Sequence, residues 1–105
     1  MSEHNSIINL DGEIIGRFRH DVAWSSPNRI RLGEYDDDFV YDNEFNVVAK
    51  INSNVVSNII GEEIGMIAGK EILVNGKVVG RFIGSKKAAA ASIALIFNVD
   101  GTRSV

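Results

Sequence analysis

Ile15-Gly16-Arg17-Phe18 returns far along the chain as Val79-Gly80-Arg81-Phe82, and three further copies lie between: Leu32-Gly33-Glu34-Tyr35, Val48-Ala49-Lys50-Ile51 and Ile64-Gly65-Met66-Ile67. The small residue falls at positions 16, 33, 49, 65 and 80, so successive copies stand 17, 16, 16 and 15 residues apart. A near-constant period marks one supersecondary unit repeated along the chain, and it decides the fold class before any single residue does.

Each side of the small residue carries turn chemistry. Four residues after it come His20, Asp37, Ser53, Gly69 and Gly84, all types that turns accept. Four residues before it three copies have Gly (Gly12, Gly61, Gly76), two of them in the hairpin dipeptides Asp11-Gly12 and Asn75-Gly76. A second set of apolar runs fills the intervals: Ile7 to Leu10, Val22 to Trp24, Phe39 to Tyr41, Val55 to Val56 and Ile72 to Val74. They are rich in the β-branched and aromatic residues that suit a pleated surface. The pattern predicts a mainly β chain of about five successive antiparallel hairpins, closed into a flower- or barrel-like ring.

Gly in mid-strand weakens a strand in isolation, so a small residue in all five copies, Gly in four and Ala49 in the other, predicts five places where something approaches too closely for a large side chain. The residues one before and two after the small one are both apolar, although a flat strand would turn them to opposite faces. A bulge at each copy reconciles the two. The segment Ser85 to Phe97 is expected to fill the centre as a short hydrophobic helix: Ser85 is a good N-cap, Ala88 to Ala91 favour helix, and Ser92-Ile93-Ala94-Leu95-Ile96-Phe97 is apolar almost all round. Whether it enters its own ring or a neighbour's is open at this level. The expected organisation is a flexible end over 1–6, a hairpin-repeat domain over 7–84, the helix over 85–97 and a tail over 98–105. Phe18, Ile67 and Phe82 share one repeat phase and are predicted core, as are Trp24 and Tyr35.

The stretches Gly12-Glu13-Ile14-Ile15-Gly16-Arg17-Phe18, Gly76-Lys77-Val78-Val79-Gly80-Arg81-Phe82 and Gly61-Glu62-Glu63-Ile64-Gly65-Met66-Ile67 resemble the repeat of the bacterial β-flower proteins. The likeness covers roughly residues 7–84, with Arg29 and Phe45 standing where that pattern expects Gly. It implies a fold and no settled activity. The plugged-ring idea is also similar to the tubby-like proteins, far longer chains, some of which bind phosphoinositides through basic side chains.

The chain has 105 residues, 45% of them hydrophobic and 24% charged, which suits one globular domain. With no Cys there is no disulfide framework, thiol nucleophile or thiolate metal site, and a cytoplasmic setting is expected. A net charge of −3 disfavours nucleic acid as a partner. No uncharged stretch is long enough to span a bilayer: the longest, Ala88 to Val99, falls short. The charge is uneven: residues 1–65 hold 5 basic and 12 acidic side chains, net −7, and 66–105 hold 6 and 2, net +4.

Glu34, Asp36, Asp37, Asp38, Asp42 and Glu44 put six acids into eleven residues and form a candidate surface for a protein with a basic face. Arg81, Ser85, Lys86 and Lys87 form a candidate anion site around the expected helix N-terminus. Chemistry is otherwise sparse. His20-Asp21 lacks a third group, two His without ligand spacing do not make a zinc site, and Asp36-Asp37-Asp38 lacks calcium-loop spacing. No cofactor, metal or catalytic constellation is expected. The functions that survive are a non-catalytic interaction or ligand-binding module, which could associate with itself; an acidic stoichiometric inhibitor such as a toxin-immunity protein; and an anion- or phosphoinositide-binding protein.

Overall fold

A computed structural model describes residues 5–97. Ten antiparallel strands run β1 (Asn5–Asn9), β2 (Ile14–Arg19), β3 (Val22–Ser25), β4 (Arg31–Tyr35), β5 (Phe39–Tyr41), β6 (Val47–Asn52), β7 (Val55–Ser57), β8 (Glu63–Ala68), β9 (Glu71–Val74) and β10 (Lys77–Ile83), followed by helix α1 (Lys86–Leu95). Each strand pairs with its sequence neighbours, and β1 also pairs with β10, closing the barrel. β1 starts at Asn5, so the strand takes in two residues of the stretch expected to be a free end; residues 1–4 and the tail 98–105 lie outside the described residues. Closure leaves no unpaired sheet edge among the described strands, and with it goes the edge pairing by which hairpin repeats could associate.

The expected bulges are present in all five copies and at the same place. Ile7 pairs with Gly16 and Ile8 with Ile14, leaving Ile15 without a partner. Leu32, Val48, Ile64 and Val79 are left over in the same way, each just before its small residue. The extra residue lets both flanking apolar positions turn to the core: Ile15, Leu32, Val48 and Val79 pack against it half-buried, Ile64 is buried, and Phe18, Tyr35, Ile51, Ile67 and Phe82 are buried two residues beyond the small one. The second strands add Ile7, Ala23, Val40, Val56 and Ile72, again one buried residue per unit.

A ten-stranded barrel is wider than the eight-stranded size that side chains alone fill, so its interior needs an additional occupant. That occupant is α1 of the same chain, which packs against strands all round the ring and buries every residue from Ala88 to Leu95. Its N-cap Ser85 accepts hydrogen bonds from the amides of Lys87 and Ala88. Hairpin parity puts the turns after β2, β4, β6 and β8 at the end where α1 enters, so the helix runs toward the end bearing the other five turns. After Lys86 and Lys87 it runs through four alanines, Ala88 to Ala91, and its last part is bulky. A side chain added at Gly16 would meet Ile96, at Gly33 Leu95, at Gly65 Ile93 and at Gly80 Phe97.

Loop length explains the uneven period. The turns after β1, β5 and β7 close a pair four residues apart (Asn9 with Glu13, Asp42 with Asn46, Asn58 with Glu62), and the two of these loops that lie between successive small residues go with the spacing of 16. The turn after β3 closes Ser25 with Ile30, one residue longer, and gives 17; the turn after β9 is the two-residue Asn75-Gly76, and gives 15. Five equivalent residues take a left-handed backbone: Gly12, Arg29, Phe45, Gly61 and Gly76. Arg29 (φ 60°) and Phe45 (φ 65°) thus hold the conformation of the glycines they replace, at about 1–2 kcal/mol each for a residue with a Cβ.

Two sets of variants follow. At Gly80 an added Cβ meets the Ile8 carbonyl as well as Phe97, whereas at Gly16 it meets the movable Ile96 side chain. Gly80→Val is therefore expected to destabilise by about 3 kcal/mol and Gly16→Val by about 1–2 kcal/mol, read as urea midpoints. Phe45→Gly, at a 65% exposed residue, is expected to raise stability by about 0.5–1 kcal/mol in the same measurement.

Candidate functional site

The acidic cluster is mostly occupied with its own backbone and neighbours. Asp36 accepts hydrogen bonds from the Asp38 amide (3.0 Å) and the Phe39 amide (2.8 Å) through Oδ1, and from the Tyr41 hydroxyl (2.7 Å) through Oδ2. Asp42 does the same for the next turn, accepting from the amides of Glu44 and Asn46. Asn9 and Asn58 hold the equivalent positions in units one and four, each accepting from the amides two and four residues on. Glu34 pairs with Arg31 (3.0 Å) and Asp37 with Lys87 (3.3 Å). Asp38 and Glu44 alone have side chains that form no hydrogen bond or ion pair among the described residues.

The residues of the expected anion site lie on two elements, Arg81 on β10 and Ser85, Lys86 and Lys87 at the start of α1. Arg81 is exposed on β10, paired across the sheet with Glu71, while Lys86 is exposed at the helix start and Lys87 reaches Asp37. Three amides at the helix start are engaged: Ser85 N–H donates to Asn5 (2.6 Å), and Ser85 Oγ takes those of Lys87 and Ala88. Burial pushes the Tyr35 phenol above its ordinary range, opposed by its hydrogen bond with the Ser85 side chain.

Another place gathers charge and surface together. A groove of about 930 Å³ runs along β2 and β3, from Asn5 and Ser85 at the helix entrance to the Ser26-Pro27-Asn28-Arg29 loop. Arg17, Arg19 and Arg29 line it, with His20, Asp21, Trp24, Ser25 and Ser26. Strand alternation builds the floor: Arg17 and Arg19 project outward from β2, with Phe18 between them pointing into the core. Trp24 pairs across from Arg17. Trp24 is therefore partly buried on the outer face and not a core residue, because its neighbour Ala23 takes the inward position. The far wall is the longer loop, tied back by a hydrogen bond from Ser26 N–H to the Ile15 carbonyl (3.1 Å). None of the three arginines is in an ion pair among the described residues, and Asp21 is the carboxylate that lines the groove with them.

Of the expected site residues only Ser85 lies in this groove. Arg17 was legible as the charge between the repeat's two apolar positions, and Arg29 as a substitution for Gly; their meeting depends on strand pairing. Among the described residues no group of three His, Cys, Asp or Glu is placed to hold a metal ion, and no helix is long and apolar enough to cross a membrane. No protein-family model, curated protein or solved structure matches the chain.

The hydrogen bonds from Tyr41, Asp38 and Phe39 hold the Asp36 carboxyl below its ordinary range, and bonding to Asp36 raises the Tyr41 phenol. A lowered folded pKa means stability that is complete above the ordinary Asp range and is lost as pH falls through the folded value. In Tyr41→Phe the Asp36 pKa, followed by carboxyl NMR titration, is expected to move up toward the ordinary carboxylate range, and the acid limb of the stability curve to flatten.

Proposed function

We propose that this chain is a non-catalytic binding module that takes an anionic ligand in the groove along β2 and β3. The observation that carries the reading is that Arg17, Arg19 and Arg29 all line one groove without carboxylate partners among the described residues. Guanidinium groups stay protonated and offer fixed forks of donors, which suits holding phosphate or carboxylate and does not suit proton transfer. Ser25 and Ser26 add hydroxyls to the same end. His20 and Asp21 share a two-residue turn, and neither forms a side-chain hydrogen bond that would build an acid–base relay among the described residues.

The volume is in the range of small-molecule sites. A cytoplasmic setting is part of the proposal and rests on the Cys-free composition. Kinship with the β-flower proteins is likewise proposed on the repeat pattern; it carries no activity with it. The acidic-inhibitor reading loses support because four of its six carboxylates hold turns or ion pairs.

Calorimetric titration with inorganic pyrophosphate tests the proposal. Binding is expected to weaken with salt, and to fall about tenfold or more in each of Arg17→Ala and Arg29→Ala, since a hydrogen bond to a charged group is worth about 1.5–3 kcal/mol. The double variant Asp38→Lys, Glu44→Lys is expected to leave it unreduced. Heat signals indifferent to both arginines would refute the assignment.

A further inference from the structure

The five repeats act as internal controls for one another. Where only folding is at stake, the turn before the bulged strand is short and its left-handed position is Gly, as in units one, four and five. Unit two departs twice: its loop has an extra residue, and Arg29 takes the left-handed position, a strain that Gly would avoid. Both departures line the groove. Phe45, the other non-Gly residue of the set, does not line it.

The groove is also chemically graded. Arg29 and the hydroxyls of Ser25 and Ser26 lie toward the loop, Arg17 is in the middle of β2, and Arg19, His20 and Asp21 are at the turn end. Asp21, the one carboxylate lining the groove among the described residues, is in the turn half, and the loop half has none. A ligand carrying charge all over would meet the Asp21 carboxylate. A ligand charged at one end would place that end between Arg17 and Arg29 and leave Asp21 to accept from its neutral N–H or O–H groups. Trp24 lies beside Arg17, partly buried, with an indole that no described aromatic side chain stacks upon. A flat apolar surface next to an anion subsite suits a planar ring joined to a phosphate.

We infer that the groove binds a nucleoside monophosphate, its phosphate held by Arg17 and Arg29 and its base stacked on Trp24. The inference rests on the anion-binding reading and adds the ring and the single charged end. A polynucleotide fits less well, because a chain of net charge −3 with six acids within residues 34–44 repels a long phosphate backbone.

Trp24 is the chain's one tryptophan, so its fluorescence reports directly on the groove. The full chain is titrated with adenosine 5′-monophosphate, ribose 5-phosphate, adenosine and inositol 1,4,5-trisphosphate. The monophosphate is expected to quench Trp24 and to bind at least tenfold tighter than either ribose 5-phosphate or adenosine, and tighter than the trisphosphate. By calorimetry, Trp24→Leu is expected to erase the advantage over ribose 5-phosphate, and Trp24→Phe to keep part of it. Equal affinity for the monophosphate and ribose 5-phosphate would overturn the ring assignment and leave the anion site standing. Tighter binding of the trisphosphate would overturn the single charged end. Absence of binding by the monophosphate, ribose 5-phosphate and pyrophosphate would overturn both readings.

Discussion

Steric matching between the barrel wall and the helix inside it is the constraint on which the rest of the structure depends. Gly16, Gly33, Gly65 and Gly80 stand opposite Ile96, Leu95, Ile93 and Phe97, the bulky end of the inserted segment. Nearer the helix entrance the wall carries Phe18, Tyr35, Ile51, Ile67 and Phe82, at the level of the alanines that begin α1. Small faces large in one layer and large faces small in the other, so the interior fills at the density that folded cores require. The bulge before every small residue belongs to the same arrangement. Without it, Ile15 and Phe18 would lie on opposite faces, and the wall could not supply both layers.

Because the inward positions are fixed by that matching, the chain can vary only where it faces water: the outward strand positions and the loops. The loops use a small set of solutions. Asn9, Asp42 and Asn58 each gather the amides two and four residues on, so an Asn or Asp at the end of a second strand pins the turn and, with it, the register of the next hairpin. Ser25 does a related task in the longer loop, accepting from the Ile30 amide. Loop length then sets the spacing between units, and the differences among 15, 16 and 17 are differences of one loop residue at a time.

Most of this architecture was legible in the sequence because it repeats. Each element recurs five times with its turn residues and apolar positions in phase, so the strands, the bulges, the N-cap at Ser85 and the hydrophobic helix follow from local rules. The site was less legible for two physical reasons. Formal charge does not show which carboxylates are engaged: Asp36 and Asp42 read as an exposed acidic patch, yet they close turns through backbone hydrogen bonds that a count of charges cannot register. Neighbourhood across strands is also absent from linear order. Arg17 and Trp24 are seven positions apart and become partners through the β2–β3 register, the same register that moves Trp24 out of the core.

The groove lies where the repeat is broken, and the two facts have a single cause. A closed ring of equivalent hairpins presents equivalent outer surfaces, and a concave site needs one unit to differ from the others. The residue that lengthens the loop after β3 provides the difference: the loop reaches back over β2, fastens through Ser26 to Ile15, and raises a wall beside the outward faces of Arg17 and Trp24. Arg29 stands at the end of that wall in a backbone conformation its own side chain disfavours, held there by the hydrogen bond from its amide to the Ser25 carbonyl. Strain kept at a position where three of the four sister units use glycine, in the unit whose loop lines the groove, points to a use for the side chain. The spacing of 17 is therefore the trace, in the sequence, of the wall that makes one face of an otherwise regular barrel able to hold a ligand.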